Sequence, residues 1–289
     1  LAKKKVKVSL TGDAGDEIFG GYNRYTKIKT MNYFYKLPKV VKKIISKSHN
    51  LLNQKNLNYL NIVIKLLPFY KNEFYLDEKI RKILLRIDPN QTQNDFLLSF
   101  FMNESSKNNV IKTEFQSNHN ILENFNKVLD DQKFSNISIE EKMMYLDTIN
   151  YLPNDILFKV DRASMANSLE TRAPFLDKDL YEFSVNLPFS LKIKNGKGKY
   201  ILRKILKNKI PNNLIDRPKA GFSIPIGQWI KKPLLDWSEN LLSKKNIEKS
   251  GLLNFNNIEK IWKLHKNGYD HSSILWSILV FQEWLINRK

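Results

Sequence analysis

Cysteine is absent from all 289 residues, which removes disulfide frameworks, thiolate zinc sites and cysteine nucleophiles from these residues. Histidine is scarce. His49, His119, His265 and His271 stand far apart and match no metal-ligand spacing, so each reads as structural or solvated. Glycine and proline contribute only 10 residues each, too few for a collagen-like or low-complexity chain. No run approaches the roughly 18 apolar residues of a membrane-spanning helix, and the strongest, Ile278-Leu279-Val280-Phe281, sits in an ordinary amphipathic pattern. A membrane is therefore not expected as a partner. No signal peptide is visible and the first residue is Leu1 rather than Met, so the expectation is a truncated chain of a cytoplasmic protein.

Acidic residues are missing from one long stretch. Between Ile18 and Asn72 there are eleven Lys or Arg and no Asp or Glu. Such a stretch can be a solvated basic face or a surface for an anionic partner. No KH, RRM or zinc-finger pattern accompanies it, so nucleic acid is not the expected partner. The formal net charge of +19 otherwise reflects Lys scattered throughout the chain. With 42% hydrophobic and 12% aromatic residues, the chain has the means to bury a substantial core.

Val6 to Leu10 alternates apolar and polar residues and predicts a short strand ending at Thr11-Gly12. Helical patterning follows at about 16–35, 39–48, 57–70, 74–86, 94–103, 118–130, 139–150, 154–167 and 177–186, then at 199–208, 226–242, 255–266 and 271–286. A strand, a glycine-containing turn and a helix form half of an α/β unit, and the partner strands are expected upstream. Lys192 to Lys199 reads as an exposed turn, and 50–135 as a looser, variable section. There is no internal repeat.

Three segments carry unusual chemistry. In the first, Leu10-Thr11-Gly12-Asp13-Ala14-Gly15-Asp16-Glu17, three carboxylates and two glycines meet where the strand hands over to the helix. Glycine lets the backbone approach a ligand closely, the helix N-terminus favours an anion, and Asp13 and Asp16 are oxygen donors suited to Mg²⁺. The C-terminal end of a parallel strand is also where α/β sheets bind ligands. The same residues could equally serve the helix itself, Asp13 as N-cap and Asp16-Glu17 as complements to its dipole. Gly20 and Gly21, inside the predicted helix, imply a close packing contact.

The second segment runs from Leu152 to Asp177. Asn154 is expected to cap a helix whose apolar face carries Ile156, Leu157, Val160 and Met165. Asp161, Arg162, Glu170 and Arg172 must then either line a site or pair with one another. In the third, Lys199-Tyr200-Ile201-Leu202-Arg203 precedes Pro211 and Arg217-Pro218-Lys219-Ala220-Gly221-Phe222-Ser223-Ile224-Pro225. A lysine held in a Pro- and Gly-bounded loop can offer a point charge to phosphate.

Ser9 to Tyr22 resembles the L-S-G-(D/E)-G-(A/G/S)-D-E-L-F-G-G-Y motif of glutamine-hydrolysing asparagine synthetases, with Thr11 for Ser and Ala14 for Gly. The second segment resembles that family's L-P-x-D-x-L-x-K-x-D-R-x-S-M-(A/S)-x-S-x-E-x-R-x-P-F-L-D. The third resembles K-x-x-L-R…P…R-x-K-x-G-F-x-x-P, with Trp229 as the family's usual aromatic after it. The motifs stand at 9–25, 152–177 and 199–229, and the resemblance makes residues 1–289 the C-terminal portion of an asparagine synthetase domain.

The resemblance implies an α/β fold, the C-terminal part of an ATP-pyrophosphatase (adenine nucleotide α-hydrolase-like) domain. This portion would be predominantly helical with a short strand near 6–10. It implies ATP and Mg²⁺ as cofactors. Thr11 and Gly12 would contact ATP, Asp13 would serve the β-aspartyl-AMP intermediate, and Asp16 would bind Mg²⁺-pyrophosphate, with Glu17 supporting the loop. Lys219 would bind ATP and stabilise charge during adenylation, while Asp161, Glu170 and Arg172 would support the substrate cleft. The implied partners are aspartate or a related carboxylate, ammonia from glutamine delivered by an N-terminal glutaminase domain, and a second subunit in a homodimer.

The family's S-G-G-x-D-S pyrophosphate loop does not occur in these residues, nor does the glutaminase cysteine. Alone, they are therefore expected neither to hydrolyse glutamine nor to complete adenylation. Two other expectations stay open: a related amidotransferase or cyclase acting on another carboxylate, and a non-catalytic basic module using the 18–72 surface.

Overall fold

The computed structural model describes residues 1–48, 89–90, 92–100, 110–115, 125, 128–134, 136–215 and 224–288. The predicted helices at 57–70 and 74–86, and most of that at 118–130, lie outside these residues, as does most of the looser section.

In chain order the elements are β1 (Val8–Leu10), α1 (Gly15–Ile18), α2 (Asn23–Tyr35), α3 (Lys39–Ser48) and α4 (Gln93–Leu98). The long helix α5 joins Ile139–Leu146, a π-helical stretch Asp147–Leu157 and Phe158–Met165, and is followed by β2 (Glu170–Arg172). Then come α6 (Lys178–Asn186), α7 (Phe189–Lys192), α8 (Tyr200–Leu206), α9 (Asn212–Ile215), α10 (Ile226–Trp229), α11 (Leu235–Leu241), α12 (Lys244–Lys249), α13 (Phe255–Lys266) and α14 (Ser272–Asn287). Among the described residues the fold is mostly helical with a small two-stranded parallel sheet, compatible with the α/β class. Among the described residues, no helix is long and apolar enough to cross a membrane.

The chain forms two compact units, Leu1–Lys36 with Phe125–Ala220 and Leu37–Asn124 with Gly221–Lys289. In the first, β1 and β2 pair in parallel, Val8 opposite Glu170, Ser9 opposite Thr171 and Leu10 opposite Arg172. One strand partner thus lies downstream of β1, a partner that the expectation of upstream strands did not include. Leu169-Glu170-Thr171-Arg172 is too short and too polar to stand out as a strand, so sequence patterning passes over it.

Ser138 starts α5 with a capping box. The Glu141 backbone N–H donates to Ser138 Oγ at 3.2 Å, and the Ser138 N–H donates to Glu141 Oε2 at 3.0 Å. Pro153 does not end this helix, contrary to the two predicted segments at 139–150 and 154–167. It sits inside the π-helical stretch, where its missing N–H removes one backbone bond without ending the helix. Asn154 is consequently no N-cap; it lies mid-helix and bonds Asn150. The expected apolar face of the following turns is not buried either: no residue of Phe158–Met165 is buried, and Met165 is 55% exposed.

α2 packs on the first part of α5, burying Tyr25 and Ile28 together with Met143 and Leu146. The predicted continuous helix over 16–35 is broken. Gly20 adopts φ +70° and the Gly21 N–H bonds the Asp16 carbonyl at 2.7 Å, closing α1 as a Schellman cap. The two glycines therefore terminate a helix instead of interrupting one.

The second unit is built on α10–α14. Ile230, Leu241, Ile247, Ile258, Trp262, Ile274, Leu275 and Leu279 form its buried core. The predicted helix at 226–242 divides into α10 and α11, with Pro233 between them. His265 is 1% exposed and holds this region together, its Nε2 lying 3.0 Å from the Gly227 carbonyl while the His271 N–H donates to Nδ1 at 3.1 Å. That is the structural role expected for it.

Candidate active site

The turn Thr11–Glu17 leaves the C-terminal end of β1. The Thr11 N–H donates to the Arg172 carbonyl at 2.8 Å, carrying the strand pairing one step past the sheet and joining the first motif to the second. Ala14 then adopts the left-handed φ of +69° while 1% exposed. This is an uncommon conformation for a residue with a Cβ, and it turns the chain into α1. Gly15 follows against Phe175, where an added Cβ would press on the ring, and Phe175 also meets Phe19 edge-on at 5.7 Å. The loop is thereby clamped by an aromatic from the second motif.

The third motif arrives on the other side of α1. The Lys199 N–H donates to the Phe19 carbonyl at 2.9 Å, and Lys199 Nζ lies 3.2 Å from Asp16 Oδ1. Close approach requires glycine twice here. A Cβ on Gly198 would overlap the Gly20 carbonyl, and one on Gly21 would overlap the Asp16 carboxylate and the Lys199 side chain. Arg203 fixes the arriving segment by donating to the Gly198 and Ile215 carbonyls at 2.9 and 2.8 Å. The expectation of an exposed turn over 192–199 holds only for its tip, since Lys192 is 5% exposed and Gly198 is packed against α1's end.

Beneath the turn lies a polar network that sequence reasoning missed. Glu17 is 1% exposed and accepts a hydrogen bond from Tyr22 OH at 2.7 Å; burial pushes its carboxyl above the usual range. Arg24 pairs with the fully buried Asp147 at 2.6 Å, and Tyr25 OH donates to the same carboxylate at 2.5 Å. The Arg24 guanidinium also lies over the Tyr22 and Tyr151 rings, at 4.8 and 4.9 Å from their centroids. Burial dominates at Asp147 and raises its carboxyl to about 6 despite both partners. Two signals were available in the sequence: Arg24 is the sole arginine in the Lys-rich 18–72 stretch, and Asp147 falls on the apolar stripe of Met143 and Met144.

Thr11, Gly12, Asp13 and Asp16 gather in one turn. Glu170 and Arg172 stand on β2 beside it and pair with each other at 2.6 Å, 48% and 71% exposed. Asp161 is exposed on the last part of α5. Lys219 lies outside the described residues. Among the described residues no three acidic, His or Cys side chains assemble as a metal cage. Mg²⁺ bound largely through phosphate and water needs only one or two protein carboxylates, however, and Asp16 with the neighbouring Asp13 fits that requirement. Lys199, Asp16 and the turn's backbone could together hold a phosphate–metal ligand.

The family model for asparagine synthase matches residues 1–286. Glutamine-hydrolysing asparagine synthetase 1 of Bacillus subtilis is 28% identical over 289 residues, covering 98% of this chain and 41% of the relative. A putative glutamine-hydrolysing asparagine synthetase of Mycobacterium tuberculosis is also 28% identical, over 98% of this chain and 40% of its own length. A shorter similarity, 34% over 119 residues, covers 39% of this chain and 18% of Amidase chyE of Penicillium rubens. The chain thus spans about two-fifths of the full-length synthetases it matches. No solved structure matches it significantly. With the match running almost from end to end, and with Phe175 of the second motif and Lys199 of the third set against the turn of the first, the chain belongs to the asparagine synthase family.

Proposed function

We propose that this chain carries part of the nucleotide and acceptor site of an ATP-dependent amide-forming ligase, with aspartate as acceptor and asparagine as product. The observation that carries the reading is the meeting of Asp16, from the turn after β1, with Lys199, from the third motif. Acid, lysine and a helix-starting turn at the C-terminal end of parallel strands suit a polyphosphate. The fold assignment that accompanies this reading is an ATP-pyrophosphatase-like domain, and the setting is cytoplasmic.

In this reading the acceptor carboxylate attacks the α-phosphorus of ATP and pyrophosphate leaves. Ammonia, supplied by a glutaminase domain of the whole protein, then attacks the acyl carbon and AMP leaves. The protein's contribution is positioning and charge stabilisation. Thr11 and Gly12 supply the close backbone approach, Lys199 and Lys219 balance phosphate charge, and Asp13 faces the acceptor. Mg²⁺ held at Asp16 would offset charge on the pyrophosphate. Asp161, Glu170 and Arg172 serve the cleft margin, where the Glu170–Arg172 pair stiffens the end of β2.

A second reading keeps the chemistry and changes the acceptor to another carboxylate. The 34% identity with a protein named as an amidase favours it. Pyrophosphate release by the full-length protein, measured with ATP, Mg²⁺ and a panel of carboxylates, tests both. Release dependent on aspartate supports the first, release dependent on another carboxylate supports the second, and release with none refutes the ligase assignment.

A further inference from the structure

A cavity of 270 Å³ opens within the first unit between α1, the first turns of α5 and the α6–α7 segment. It is just under the size of a pocket for a drug-sized ligand and suits a smaller metabolite. Thr11, Gly12, Asp13 and Asp16 do not line it; of the turn described above it shares only the last residue, Glu17.

Its wall carries opposite charges that do not meet. Lys192, 5% exposed, donates to the Val185 carbonyl at 3.2 Å and forms no ion pair with Glu141 or Glu17 on the same wall. The desolvated ammonium is pulled below the usual lysine range by burial, with Glu141 acting in the opposite sense. Glu141 receives both Ser138 hydrogen bonds through Oε2, leaving Oε1 for another donor. Tyr181 and Thr148 add hydroxyls, and Ile18 and Met144 add apolar surface.

Buried charges are costly unless paired. A simple anion would satisfy Lys192 but face two carboxylates, and a simple amine would face a buried ammonium. A molecule carrying an ammonium and a carboxylate on one carbon completes both sides. We propose that this cavity binds a free α-amino acid as its zwitterion, Lys192 taking the carboxylate and Glu141 the ammonium. The site is additional to the acceptor position and does not rest on the adenylation reading.

Calorimetric titration of the full-length protein with the proteinogenic α-amino acids tests this, beside Lys192→Met and Val185→Trp. The first variant removes the buried charge at nearly constant shape. The second starts from a residue 55% exposed at the cavity rim, so it obstructs the cavity with little risk to the core. Cooperative melting of both variants establishes that they fold. The expected result is at least one amino acid whose Kd rises at least tenfold in both variants, with its N-acetyl and methyl-ester derivatives bound at least tenfold more weakly by the wild type. Absence of binding by every amino acid, or binding that both variants retain within twofold, overturns the proposal. Failure of pyrophosphate release would leave this result untouched, since the readout is binding alone.

Discussion

Lys199 Nζ sits 3.2 Å from Asp16 Oδ1, across a contact so close that the intervening Gly21 has no room for a methyl group. Two motifs far apart in sequence thereby share one charge pair at the start of the candidate site. With both side chains about 30% exposed, the pair contributes little to stability. Its value is in placing a cation beside the carboxylate proposed to meet the metal–phosphate group.

Lys199→Met should accordingly leave melting nearly unchanged and lower aspartate-dependent pyrophosphate release by about 100-fold, the scale for loss of one preorganised charge-stabilising donor. Full activity in this variant would remove Lys199 from the site.

Gly21→Ala should disturb the same pair through space alone. The new methyl group must displace the Asp16 carboxylate or the Lys199 stem, so the Mg²⁺ dependence of ATP binding should weaken while the core remains folded. Titration of ATP binding against Mg²⁺, in parallel with circular dichroism, separates these outcomes.

Asp147 is the buried centre of the Arg24–Tyr25 network. Asp147→Ala leaves Arg24 without its carboxylate, and loss of one partner of a buried pair costs about 3 kcal/mol. Denaturant unfolding should show that loss. Because Asp147 is raised to about 6 by burial, the folded protein holds its proton where the unfolded chain has released it. This group's contribution should therefore decline as pH rises from about 4 to about 6, and Asp147→Asn should remove that slope.

His265 gives the opposite slope. Burial lowers its imidazole below the usual value of 6.5, so on acidification the unfolded chain takes up a proton first. Stability should fall as pH drops below about 6.5. His265→Gln, which retains hydrogen-bonding capacity without titrating in this range, should flatten that dependence in pH-resolved thermal unfolding.

The sequence revealed the turn at Thr11–Glu17, the termini of α13 and α14 to within a residue or so, and the grouping of three motifs, because glycines, caps and amphipathic periods are local signals. It did not reveal β2 as the partner of β1. Pairing between residues more than 150 positions apart leaves no mark on a three-residue strand. The break between α1 and α2 was misread because Gly20-Gly21 can sit in a helix or end one, and only the +70° torsion decides. Arg24, Tyr25 and Asp147 were overlooked for a related reason: a buried ion pair is written in two distant places, each of which looks ordinary.

The π-helical stretch of α5 sets the angular phase between the buried first part of that helix and the exposed turns that lead to β2. Each residue added to or removed from a helix rotates the downstream turns by roughly 100°. Segment length between Asp147 and Phe158 therefore acts as gearing: a single-residue deletion would leave the Ser138 cap and the Met143–Met144 face in place yet swing β2 away from β1. Tolerance to substitution at the exposed positions 153–155 can be high while tolerance to a change of length is nil, and a deletion series would expose that difference where point mutants there would not.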